Sequence, residues 1–250
     1  MKGKVAYIPQ ARTLEFHEFE LPEVAPGAIL AQVTRTNVCG SEVHMWRGEF
    51  GKRGVMPGHE MVGRVHTLGK GVTADTAGHP LKEGDRIAPV YYRTCGSCVN
   101  CREGNAAACV TLGIRAKRLV PQEAPHFHTP FGTHYYIEAG QHVYKVPENV
   151  PDHAASSANC ALSQVFFGLD RGNLRYDETL VVQGAGGLGL HAMAVAKARG
   201  ARVIAIDGVD LRLKRAKQFG ADEVVDMREY STPQARVGRI KELTKGLGAD

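Results

Sequence analysis

Four of the six cysteines in this 250-residue chain fall within one short stretch, Cys95-Gly-Ser-Cys98-Val-Asn-Cys101 followed by Cys109. The spacing Cys-x2-Cys-x2-Cys-x7-Cys lets four thiolates converge from one loop on a tetrahedral ion, and zinc with four sulfurs is a closed, structural site. Disulfides are the competing use of an even cysteine count, and iron–sulfur clusters are held at similar spacings. The start of the chain, Met1 to Phe16, carries no charged segment followed by an apolar one, so no export signal is expected. A reducing cytoplasm, the expected location, keeps thiols unpaired, which makes metal binding the leading use.

Cys39 and Cys160 remain, each far from any other cysteine. Around them stand Cys39-Gly-Ser41-Glu42-Val-His44 and Gly58-His59-Glu60. A catalytic zinc takes three protein ligands and keeps a fourth position for water or substrate, and two cysteines with one histidine are a known set. Cys39, His59 and Cys160 are therefore candidates. Taken singly, each also fits an ordinary role, the cysteines as small buried apolar groups and the histidine as a satisfied polar one.

A third chemical signal is Thr179-Leu-Val-Val-Gln-Gly184-Ala-Gly186-Gly187-Leu188-Gly189, a Gly-x-Gly-x-x-Gly turn between an aliphatic strand and a helix. Gly184 permits the tight turn, Gly186 lets backbone approach a pyrophosphate, and Gly189 allows close helix–strand packing. Gly187 leads into the helix that begins at about Leu188, whose N-terminus favours phosphate charge. The next aliphatic run ends at Asp207, 18 residues after Gly189, where an acidic side chain holds the adenosine ribose and repels a 2′-phosphate. NAD is thus expected over NADP. Arg212 either touches ribose or phosphate or is a solvent-facing helix residue.

These groups need elements to carry them. Up to about Asp152, short apolar stretches such as Ala28–Val33, Met61–Val65, Arg86–Val90 and Tyr135–Ile137 are broken by Gly and Pro, which reads as β-rich. From about Ala154, Ala-rich helical segments alternate with Thr179–Val182, Arg202–Ile206 and Glu223–Val225, the texture of a parallel α/β sheet. Helices are expected at about Leu188–Arg199 and Leu211–Phe219, closed by Gly200 and Gly220. Two domains are expected, 1–155 with a metal lobe at about 93–112, and 156–250 for the nucleotide.

With 43% hydrophobic and 23% charged residues the chain has the composition of a soluble globular protein. Its 31 Lys and Arg against 26 Asp and Glu give a net charge of +5, but the charges are interleaved and no aromatic-flanked basic run suggests nucleic acid. No apolar run is long enough for a membrane span.

The metal lobe, the dispersed Cys–His–Cys set and the later glycine turn, with Asn159-Cys160-Ala-Leu-Ser, resemble in this order the zinc-dependent medium-chain alcohol dehydrogenases, including polyol and threonine dehydrogenases. The resemblance covers essentially the whole chain. It implies a GroES-like β-barrel with a zinc lobe followed by a Rossmann doubly wound parallel sheet, and hydride transfer from a primary, secondary or polyol alcohol to NAD. It implies one catalytic zinc on Cys39, His59 and Cys160 and one structural zinc on Cys95, Cys98, Cys101 and Cys109. Ser41 matches the hydroxyl that bonds the substrate oxygen, and His44 the residue that relays its proton outward. Glu60 matches an acid that in some relatives moves onto the zinc, or else supports the ligands from behind.

Glu42 departs from the more usual Asp, whose carboxylate orients the metal-bound histidine. Trp46 and Phe50 match aromatic positions lining the substrate pocket, with core packing as the competing use. His126, His128, His142 and His191 read as ordinary surface or helix residues. The resemblance implies a dimer or tetramer of the full-length protein, with small-molecule substrates as its partners.

Only 61 residues follow Gly189, enough for about two more strand–helix units. The nicotinamide half of the usual sheet is then missing, and the expectation is a shortened copy of a longer enzyme. A non-catalytic, zinc-scaffolded nucleotide-binding protein and a zinc-free quinone or enoyl reductase are the alternatives. The second lacks a use for Cys39, His59 and Cys160.

Overall fold

The structure, a computed structural model, describes residues 1–49, 54–111 and 120–250. It divides into two compact units, Met1–Asn159 and Cys160–Asp250. No helix among the described residues is long and apolar enough to cross a membrane.

In the first unit β1 (Lys2–Tyr7) and β2 (Glu15–Glu20) pair as an antiparallel hairpin. There follow β3 (Ile29–Thr36), α1 (Gly40–Arg47), β4 (Met61–Leu68), β5 (Arg86–Pro89), the short α2 (Val99–Arg102), β6 (His134–Ile137), β7 (Val143–Lys145) and one turn of helix, α3 (Asp152–Ala155). Strands β3 to β7 form an antiparallel sheet in the order β6-β3-β4-β5-β7. Side chains alternate along a strand, so β3 serves two cores. Ile29 and Ala31 pack with Met61, Val65, Ile87 and Ile137, while Leu30 turns to Val5, Met56 and Phe127. Register shifts at Leu30/Ala31 and Val33/Arg35 carry β3 beyond the expected Val33 to Thr36, three residues short of Cys39.

A buried guanidinium ties this sheet to the chain that leads towards Cys160. Arg86 Nη1 donates to Val150 O and Asp152 Oδ1, each at 2.8 Å, and Nη2 to Pro147 O at 2.7 Å. Asp152 Oδ2 accepts in turn from Thr34 Oγ1 at 2.7 Å. The Thr34 hydroxyl and then Arg86 outweigh burial and hold the Asp152 carboxyl below the ordinary carboxylate range.

In the second unit a π-helical stretch, Ala158–Leu162, which begins at the end of the first unit, runs into α4 (Ser163–Arg171). Then come β8 (Thr179–Gln183), α5 (Gly187–Ala198), β9 (Arg202–Asp207), α6 (Asp210–Gln218), β10 (Glu223–Asp226) and α7 (Pro233–Leu243). The three strands are parallel in the order β10-β9-β8. β9 is apolar on both faces: Val203 and Ala205 pack under Met193 and Ala196 of α5 and Ala216 of α6, while Ile204 and Ile206 meet Ile240 of α7 on the other side. That is the doubly wound arrangement implied by a strand buried on both sides. Gly200 and Gly220 take left-handed backbone, φ +80° and +101°, and end α5 and α6 as the sequence suggests.

Asp152→Asn should destabilise the first unit by about 2 kcal/mol at neutral pH, the scale of a hydrogen bond to a charged partner. Because the folded carboxyl titrates below its unfolded value, its contribution is complete above the ordinary range and is lost as pH falls through the folded pKa. Denaturant melts should therefore show the gap between wild type and variant closing below about pH 4.

Candidate functional site

The four lobe cysteines converge as their spacing suggests. One sulfur from each of Cys95, Cys98, Cys101 and Cys109 lies within 4.8 Å of all the others. The loop aims N–H groups at the sulfurs, from Cys95 N to Cys109 Sγ and from Cys98 N to Cys95 Sγ, both at 3.3 Å. Hydrogen bonds from Ser97 and Cys98 pull the Cys95 pKa down to about 5, whereas burial and the neighbouring thiols push Cys101 up to about 11. Four sulfurs leave no position for substrate, so this group suits a closed, structural ion.

The dispersed set is assembled by a helix start and two segments far from it in sequence. Cys39 lies in extended backbone immediately before α1. Three residues on, Glu42 reaches back: Oε2 accepts from Cys39 N at 2.8 Å while Oε1 meets His59 Nδ1 at 2.6 Å. An ionised carboxylate only accepts, so Nδ1 carries the proton and Nε2 is the nitrogen whose lone pair suits a metal ion. Glu42 thus does what the shorter Asp does in the family it resembles, and in addition caps the helix that presents Cys39. Glu42 is buried, and burial raises its pKa, yet the bond and charge of His59 bring it below the ordinary value. Burial opposes charge on His59 too, but Glu42 outweighs it and raises the His59 pKa.

Glu60 is buried, with Oε2 held by Asn37 Nδ2 at 3.1 Å and Oε1 4.0 Å from His59 Nε2. Donor atoms of Cys39, His59, Glu60 and Cys160 all lie within 4.8 Å of one another. Two thiols, an imidazole and a carboxylate are donor types that zinc takes, so the residues fit such an ion. Gln164 Nε2 donates to Cys160 Sγ at 3.3 Å.

Around this set the other expected residues are unequal. Ser41 Oγ is buried and has no hydrogen-bond partner among the described residues. His44 is exposed, and its Nδ1 bonds Glu49 Oε2. Trp46 is partly exposed, at 43%, so it is not core packing. Phe50 lies outside the described residues. Tyr91, which sequence reasoning did not single out, sets its ring edge-on to His59, 4.9 Å between centroids. Its position just past β5 and just before the lobe was the available signal. Glu49 carried none, being one acid among many.

At the glycine turn, Gly184 has φ +100°, a conformation suited to glycine. A Cβ on Gly189 would sit 1.9 Å from the Gly184 carbonyl oxygen, whereas one on Gly186 or Gly187 would meet nothing within 4 Å. The turn is therefore tight against its own strand on one side and open on the other, where Leu188 is exposed. Asp207, at the end of β9, is buried and accepts from Ala185 N at 2.8 Å, Gly208 N at 2.8 Å and Val209 N at 3.0 Å. Burial raises its pKa, but these three N–H groups more than offset that and hold it ionised. Arg212 stands 3.8 Å from it. The carboxylate thus ties the turn to the neighbouring strand end, a task not foreseen from sequence.

Comparison with known proteins gives a consistent result. The alcohol dehydrogenase GroES-like domain matches residues 25–148, and the zinc-binding dehydrogenase domain matches residues 187–250. The 5-exo-hydroxycamphor dehydrogenase of Pseudomonas putida is 34% identical over 99% of this chain and 68% of its own length. An alcohol dehydrogenase structure from Thermotoga maritima superposes with a TM-score of 0.91 at 31% identity, covering 100% of this chain and 70% of that one. An Escherichia coli alcohol dehydrogenase structure in complex with NADH gives a TM-score of 0.79 at 27% identity, over 99% and 67%. The chain thus spans about two thirds of the length of each.

The two sides of the glycine turn should respond differently to one added methyl. Gly189→Ala must displace a rigid carbonyl and should cost about 1–3 kcal/mol in denaturant unfolding, more than its gain in helix propensity. Gly186→Ala should stay within about 0.5 kcal/mol of wild type.

Proposed function

The chain belongs to the zinc-binding alcohol dehydrogenase family and is an oxidoreductase of that family, and from this premise we propose that it oxidises an alcohol, reversibly, with NAD and zinc. The substrate class is a primary, secondary or polyol alcohol, and the product is the aldehyde or ketone. The observation that carries this reading is the convergence of Cys39, His59, Glu60 and Cys160, two residues along the chain from whose first member stands Ser41, its hydroxyl buried and without a partner among the described residues. Cys39, His59 and Cys160 would hold a catalytic zinc, with Glu60 as a further acidic donor, and the four lobe cysteines a structural one.

When bound, the catalytic zinc supplies Lewis acidity that favours the deprotonated form of the substrate alcohol. The nicotinamide supplies the hydride acceptor, so alcohol and NAD+ give carbonyl, NADH and one proton. Ser41 Oγ, buried and without a partner among the described residues, would accept the hydrogen bond of the substrate hydroxyl and give up its own proton as it takes that one. His44, exposed and bonded to Glu49, suits release of that proton to water. Glu42 keeps His59 in the tautomer that ligates through Nε2. Tyr91, edge-on to His59, would face the substrate, and Trp46 matches an aromatic position that lines the substrate pocket in the family.

The open face of Gly184, Gly186, Gly187, Leu188 and Gly189 would receive the pyrophosphate. Asp207, kept ionised by backbone N–H groups, disfavours a 2′-phosphate and supports NAD over NADP, with Arg212 beside it at the adenosine ribose. The thiol-rich metal sites suit a reducing cytoplasm. The resemblance to dimeric and tetrameric dehydrogenases supports a homo-oligomer that acts on small molecules, with no nucleic acid or membrane partner.

Elemental analysis should find two zinc ions per chain, and Cys39→Ala or His59→Ala should retain one. With NAD and a panel including a cyclic secondary alcohol, those variants should lose at least about 100-fold in kcat/KM for any substrate turned over. A wild-type chain that binds a single zinc, or reduces NADP in preference to NAD, would contradict the proposal.

A further inference from the structure

Asn159, immediately before Cys160, has a carboxamide that reaches back across the first unit. Its Nδ2 donates to the backbone carbonyl of His59 and to that of Pro89, both at 2.8 Å. Two carbonyl acceptors fix the orientation of the amide, because only the NH2 end can face them. Its Oδ1 is then left buried with no hydrogen-bond partner among the described residues. A buried orphan acceptor is unfavourable, and an apolar side chain of equal size would avoid it. The position is thus better explained by the two N–H bonds than by the space the side chain fills.

Those bonds join segments that the chain itself leaves far apart. His59 stands just before β4, Pro89 closes β5, and Asn159 lies in the π-helical stretch Ala158–Leu162. Widened turns of this kind concentrate at functional sites. A second link runs parallel to the first: Ser156 Oγ donates to Asn37 Oδ1 at 3.1 Å, and Asn37 Nδ2 donates to Glu60 Oε2 at 3.1 Å. The turn before Cys160 is therefore fastened to the backbone of one donor and to the side chain of another.

We propose that Asn159 is a positioning residue that locks the Cys160-bearing turn to His59, so that the donors of the dispersed site are preassembled and hold zinc tightly. The proposal rests on the catalytic zinc assigned above to Cys39, His59 and Cys160. Groups behind the ligands of a metal centre change its affinity by about 10–100-fold when removed. Asn159 acts through backbone, so its loss is felt as disorder among the donors and not as a missing ligand.

The test is zinc content and zinc affinity, by chelator competition, of the full chain as wild type, Asn159→Leu, Asn159→Asp and Asn159→Ser. Leu keeps the volume and removes both N–H bonds, Asp keeps the shape and turns acceptors towards two carbonyls, and Ser retains one small donor. Leu and Asp should weaken the dispersed site about 10–100-fold, and Ser by less, while the Cys95–Cys109 lobe keeps its zinc and reports that the unit is folded. If Leu loses both ions, the Ser variant decides, and wild-type affinity there overturns the proposal. Wild-type affinity in a folded Leu variant overturns it equally, since filling space would then suffice. One zinc in the wild type removes the premise as well, an outcome distinct from two zincs that are indifferent to Asn159.

Discussion

A single buried carboxylate, that of Glu42, sets the geometry on which the dispersed donor site depends. One oxygen accepts the backbone N–H of Cys39 and the other faces Nδ1 of His59. A carboxylate is costly to bury unless its charge and lone pairs are met. Here both oxygens are met by the residues whose positions matter, so the same interactions that make the burial tolerable orient two donors. The third residue of the helix that Cys39 opens is a place from which a glutamate can reach back over the helix start. The longer side chain therefore substitutes for aspartate without loss of the contact to histidine.

The same device recurs where other segments must be joined. Asp207 accepts from Ala185, Gly208 and Val209 and fastens the glycine turn to the end of β9. Asp152 links Thr34 of β3 to Arg86 of β5. Asp75 gathers the N–H groups of Ala77, His79 and Lys145. In each case the folded state holds the carboxyl below its ordinary pKa, because donors of N–H or O–H outweigh burial. The apolar faces of the sheets hold each unit together, and these ionised acceptors fix loops and strand ends where chemistry is carried.

Much of this was legible in the residues. The lobe was legible in its spacing, since four cysteines in one short loop are near enough to converge on one ion, as they do. The glycine turn was legible because its strand and helix flank it directly, and Gly189 is excluded from carrying a side chain by its own turn's carbonyl. Strand positions in the second unit followed from compact aliphatic runs, whereas β3 ran past its expected end because register shifts are not written in a hydrophobic pattern. Tyr91 escaped notice, and Asn159 was seen only as part of a motif and given no task, because an aromatic after a strand and an amide before a cysteine are common in any chain. Only their contacts with His59 distinguish them.

Taken alone, the sequence determined the kinds of donor, the local lobe and turn, and the alternation of β-rich and α/β halves, because each of these depends on neighbours within a few tens of residues. Whether Cys39, His59, Glu60 and Cys160 meet, which nitrogen of His59 is left to ligate, and which side of the glycine turn stays open were decided only by tertiary structure. Those outcomes depend on hydrogen bonds between residues 100 or more positions apart, such as those from Asn159 to His59 and from Ser156 to Asn37. No spacing rule encodes such bonds, since the strands and turns between them can be rearranged without changing a single local motif.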